Sequence, residues 1–184
     1  MNTMKKAIVI LAAVIMWTGA INAQQPQVPD FKNSPMILKK DGSLEKLEKQ
    51  NSEIKVKQVP YVGTTRFISI TGGKSPVRVK TDVTFIVKVD AETDPETIFY
   101  VQASKGGAKN REIDMEKISN YAGYGAKGKS VKKDQVPLNF DKVQDGVYKI
   151  TATGLKAGTE YGFVSTAQGA SGTQSTVFLF GVDQ

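Results

Sequence analysis

The chain of 184 residues contains no cysteine and no histidine, and its single tryptophan is Trp17. Without Cys there is no disulfide framework, no thiolate nucleophile and no zinc held by sulfur. Without His the Ser-His-Asp and Cys-His catalytic arrangements are excluded, together with histidine-ligated transition metals. Chemistry is left to carboxylates, Lys, Tyr or a hard cation bound by oxygen. Long apolar runs are missing as well. The longest, Ala7 to Trp17, reaches about half of the ~20 residues that a membrane-spanning helix needs.

That run follows the positive Lys5 and Lys6 and gives way to the small and polar stretch Thr18 to Ala23. The pattern predicts a signal peptide over residues 1–23, cut after Ala23, with Ala20 as the competing cut and an uncleaved anchor or buried helix as the alternative. No Cys follows, so the lipid attachment of bacterial lipoproteins has no acceptor. The expected address is exported: periplasm, cell surface or medium, with no transmembrane anchor after cleavage. Losing Lys5 and Lys6 lowers the net charge from +7 to +5. That is mildly basic, without the dense Lys/Arg face of a nucleic-acid protein.

Gln24 to Pro35 mixes Gln, Pro and Asn without apolar period and reads as a flexible leader, so the ordered domain is expected over 36–184. Met36-Ile37-Leu38-Lys39 and Leu44-Glu45-Lys46-Leu47 frame Asp41-Gly42. This is a hairpin signal whose rival is one helical turn over Leu44 to Gln50. From Ile54 onward the dominant period is two. Strands are predicted at Ile54 to Lys57, Arg66 to Ile70, Val77 to Lys80, Val83 to Val89, Ile98 to Ala103, Val136 to Phe140, Val147 to Thr153, Tyr161 to Thr166 and Thr176 to Val182. Gly, Asp-Pro and Asp-Gly turns separate them. Many short strands without intervening helices predict an all-β, antiparallel, immunoglobulin-like sandwich.

The run Leu155-Lys156-Ala157-Gly158-Thr159-Glu160-Tyr161-Gly162-Phe163-Val164 resembles the corner between two late strands of fibronectin type III and related immunoglobulin-like domains. The resemblance implies that Tyr161 folds back to hydrogen-bond the chain a few residues upstream, with Leu155 as its core partner. The order of features from the Asp-Gly hairpin through Asp94-Pro95-Glu96 and Asp145-Gly146-Val147-Tyr148 to Phe180-Gly181-Val182-Asp183 is similar to small exported proteins of Gram-negative bacteria. No established activity attaches to that group, and the likeness implies a bacterial envelope setting.

Gly123 to Ser130 spells G-x-x-x-x-G-K-[ST]. A phosphate loop needs an apolar strand before it and a helix after it. Here charged Arg111 to Lys117 precedes, and Pro137 soon follows, so the motif reads as a surface loop rich in Gly and Lys. In and beside it Tyr121, Tyr124, Lys127 and Lys129, followed by Lys132 and Lys133, interleave aromatic faces and positive charge. Those residues are the candidate site for a sugar or anionic polymer.

Glu112, Asp114 and Glu116 would share one face of a strand, a spacing compatible with paired carboxylates of a glycoside hydrolase. Period-two acids are equally the outer face of a half-buried strand. Asp90, Glu92, Asp94 and Glu96 match the ligand spacing of a calcium loop, but Pro95 stands where the loop needs to turn. Asp94 is instead expected to cap a short turn beginning at Pro95. No catalytic residue, metal site or cofactor is assigned. The sequence therefore reads as an exported, non-enzymatic module that binds an unknown protein or glycan of the cell envelope, with a structural or assembly role and a carbohydrate-binding role as alternatives.

Overall fold

The computed structural model describes residues 27–60, 63–121, 124–130, 135–165 and 173–183, with the side chains of 59, 119–121 and 124–130 outside the description. The expected signal peptide lies outside these residues. The first strands are β1 (Met36–Leu38), β2 (Leu44–Lys46), β3 (Glu48–Val59), β4 (Gly63–Thr71), β5 (Arg78–Val79) and β6 (Thr84–Lys88). A helical turn α1 (Pro95–Ile98) leads to β7 (Phe99–Ala103), β8 (Lys105–Gly106), β9 (Asn110–Tyr121) and β10 (Tyr124–Ser130). The chain continues through β11 (Gln135–Val136), β12 (Leu138–Gln144), β13 (Val147–Ala152), β14 (Glu160–Ser165) and β15 (Gln174–Val182).

The Asp-Gly hairpin forms as expected, with Met36 opposite Lys46 and Leu38 opposite Leu44. Gly42 takes φ +82°, and the Asp41 carboxylate accepts from the Ser43 backbone N–H at 2.9 Å and its hydroxyl at 2.6 Å. These bonds close the turn locally and leave no role for a helix over Leu44 to Gln50. Asp94 caps α1 through a bond from the Glu96 N–H at 2.9 Å, with Pro95 in the first turn, also as expected.

One sheet has the order β12-β13-β6-β1-β2, and the other β10-β9-β4-β3-β15-β14-β7-β11. The ladders within these two orders are antiparallel. The chain passes from the first sheet to the second between β2 and β3, between β6 and β7 and between β13 and β14, which divides it into the two layers of a sandwich. Between the sheets Phe85, Phe163 and Phe180 are fully buried, with Phe85 and Phe163 edge to face at 4.9 Å. At the late corner the Lys156 N–H donates to the Tyr161 hydroxyl at 2.9 Å, and Leu155 is buried.

A second core lies on the opposite face of the larger sheet, where Ile68, Ile70, Ile113, Val164, Val177 and Leu179 cluster. In a flat sheet β9 would stand about 19 Å from β14, four strands along, given a strand spacing of roughly 4.8 Å. Instead a Cβ placed on Gly162 of β14 would lie 2.7 Å from Ile113 Cδ1 of β9. The sheet therefore curls over itself, and Gly162 admits the close approach. β8, which follows β7 after a single residue, pairs with β9 and helps to close the curl.

Three sequence expectations are corrected. Tyr124 to Ser130 is not a loop but β10, antiparallel to β9, with Gly128 opposite Ile118 and Lys129 opposite Lys117. Ladder bonding to a neighbour overrides the poor strand propensity of its glycines. The strand expected at Val136 to Phe140 is two strands in different sheets, β11 on β7 and β12 on β13. Pro137 between them has no N–H for a ladder, and the chain changes sheets there. The leader is docked at its end: the Asn33 N–H donates to Lys88 O at 2.7 Å, and Pro29 and Pro35 are buried.

Gln102 is the register partner of Gly162 on the side of the second core, buried, with neither amide atom hydrogen-bonded. Replacing an unpaired buried amide with an apolar side chain of similar length removes its desolvation cost. Gln102→Met is expected to raise stability by about 1–2 kcal/mol in urea unfolding; a loss of stability would show that the amide is satisfied in solution.

Candidate functional site

Among the described residues Arg111 of β9 is the largest fully buried side chain, only 2 % exposed. Its Nε donates to Gly72 O at 2.8 Å. Its two terminal nitrogens reach Glu160 Oε2 at 3.2 Å and Glu48 Oε2 at 3.3 Å. Glu160 also accepts from the Ser75 N–H at 2.7 Å and pairs with Arg78, which holds Asp183 at 3.0 Å. Gly181 lies beneath this arrangement, since a Cβ there would overlap the Arg78 guanidinium. The network joins β3, β5, β9, β14 and the residue after β15. Every charge in it is committed to another, so it is architecture and offers no free group for chemistry.

The acids of β9 are separated by a bulge. Phe67 is opposite Asp114 and Arg66 opposite Glu116, leaving Met115 as the extra residue. Glu116 consequently shares a side with Arg66, 3.6 Å away, and Asp114 lies on the other side of the strand. This corrects the expectation of three carboxylates on one face. Asp114 is buried between Lys105 and Lys117, each at 2.8 Å. Burial alone would raise its pKa, but the two lysine hydrogen bonds and charges outweigh it, and the carboxyl titrates below the usual range. Asp114 is thus held ionised, opposite to what a general acid requires. Asp90 turns to Lys32 and Asp94 caps α1. Among the described residues no three acids gather as a metal cage.

Of the predicted binding residues, Tyr121 and Tyr124 are register partners where β9 turns into β10, with Lys127 opposite Ser119 and Lys129 opposite Lys117. The fold thus brings all four to one hairpin at the edge of the sheet. Their side chains lie outside the description, as do Lys132 and Lys133 entirely.

Sequence reading missed a different place. A groove of about 550 Å³ opens where the tip of the β1–β2 hairpin meets β5 and the start of β6. Ile37, Val79 and Val83 supply apolar lining, and Lys39, Lys40, Lys80 and Lys149 surround it. Lys39 is paired with Glu45 at 2.9 Å. Among the described residues no ion pair engages Lys40, Lys80 or Lys149. Asp82 is the remaining acid in the lining. The adjacent Lys39-Lys40 is the one sequence signal; the other lysines come from distant segments.

Comparison with family models, with curated proteins and with solved structures finds no match.

Removing one partner of a buried ion network strands the others in a dry environment. Arg111→Met is expected to cost about 3–5 kcal/mol in urea unfolding, and a loss below about 1 kcal/mol would mean that water replaces the guanidinium. Because the folded pKa of Asp114 is depressed, its stabilising contribution is complete above the ordinary carboxylate range and disappears as pH falls through the folded value. Unfolding free energies measured between about pH 6 and pH 2.5 should therefore fall less steeply below about pH 4 in Asp114→Asn than in the parent protein. Parallel curves would refute that assignment.

Proposed function

We propose that the protein is an exported, non-catalytic binding module of the cell envelope, with an anionic ligand held in the groove at the tip of the β1–β2 hairpin. The observation that carries this reading is the convergence of Lys40, Lys80 and Lys149, three cations without an ion pair among the described residues, on one partly apolar groove. Like charges brought together raise the local potential and attract an anion. The apolar lining adds contact area to that attraction. The absence of Cys and His and the ionised, lysine-bound state of Asp114 support a binding role over a catalytic one. The signal pattern supports export.

The test is calorimetric titration of the mature chain with polygalacturonate and dextran sulfate, using neutral dextran as control. Both polyanions should bind, more weakly as salt rises, and the neutral polymer should not. A Lys40→Glu/Lys80→Glu/Lys149→Glu variant that keeps its circular dichroism should bind at least ~10-fold more weakly. Equal binding by parent and variant would overturn the reading.

A further inference from the structure

We infer that the ligand is a linear polyanion, an anionic polysaccharide, lying along the β1–β2 hairpin and engaging a second cationic groove at the hairpin's base. This rests on the anionic-ligand reading of the tip groove. The second groove, of about 370 Å³, is lined by Lys32, Lys46 and Lys49 together with Phe31, Leu47 and Phe178, and no acid contributes to it. Among the described residues Lys46 has no ion pair, Lys32 is shared with Asp90, and Lys49 stands over the Phe178 ring at 5.9 Å. Phe31 is 67 % exposed. An aromatic face left in water beside ammonium groups suits a sugar ring that carries a negative substituent.

Register relates the two grooves. Met36 opposes Lys46 at the base, and Lys39 lies three residues farther along the same arm, about 10 Å away. β2 is the last strand of its sheet, so no strand among the described residues covers its outer side. Ile37 and Glu45 of the tip groove point to the face opposite Met36 and Lys46. A chain with repeated charges therefore meets both grooves by passing over the open edge of β2, and the second contact forms at the high effective concentration set by the first. Lysine ammoniums act as point charges suited to single, spaced anionic groups. The one guanidinium in the tip groove, Arg78, is already committed to Glu160 and Asp183. The exposed Phe31 ring beside Lys46 and Lys49, a face on which a sugar ring can stack, favours a charged polysaccharide over an acidic peptide.

The experiment titrates the mature chain with galacturonate trimer and with oligomers of about ten or more units. Parent protein should bind the long oligomer at least ~10-fold more tightly than the trimer. A base variant, Phe31→Ala/Lys46→Glu, should lose that advantage while its trimer binding, supported by the tip groove, stays within about twofold. Lys46→Gln with Phe31 retained repeats the test should the double variant unfold. If the base variant binds the long oligomer as well as the parent does, the two-groove ligand is wrong while the anionic reading stands. If neither length binds, the anionic reading fails and this inference with it. Tighter binding of a decapeptide of alternating Asp and Ser than of the long oligomer would overturn the polysaccharide in favour of an acidic protein partner.

Discussion

A guanidinium removed from water must recover its hydration from fixed partners, and Arg111 sets that condition within the curled sheet. Its partners come from the loop after β4, from β3 and from β14, so satisfying it requires these segments to arrive together. The curl that brings β9 over β14 thereby acquires a hydrogen-bonded polar anchor beside the second core. Apolar packing tolerates many similar arrangements, whereas a buried charge with directional donors tolerates few. Glu160 extends the same restriction through Arg78 to the last residues of the chain.

The arrangement also bears on where binding can occur. The central charges are paired internally, and Asp114 is clamped by two lysines. Among the described residues, lysines without an ion pair gather at the margin of the smaller sheet, where a three-residue edge strand leaves grooves at both ends of a hairpin. A rigid sandwich with lysines at such a margin presents charge without having to order a loop first, which lowers the entropic cost of association.

Much of the fold was legible because its cues are local. Asp41-Gly42 closes a turn with its own side chain, Asp94-Pro95 starts a helical turn, and Tyr161 reaches back only to Lys156. The errors arose where a partner distant in sequence decides. Met115 bulges because of its pairing with β4, which moves Glu116 away from Asp114. β10 exists because β9 supplies its ladder. The tip groove gathers residues from Lys39 to Lys149, which no window of sequence contains.

The amino-acid sequence by itself determined the period-two strands, their turns, the exclusion of thiol and imidazole chemistry and the signal pattern, because each depends on residue type or near neighbours. Tertiary structure decided which charges are paired and which are left over. Whether a lysine faces an acid or an open groove depends on strand order and curl, and those follow from long-range burial of apolar surface rather than from local preference.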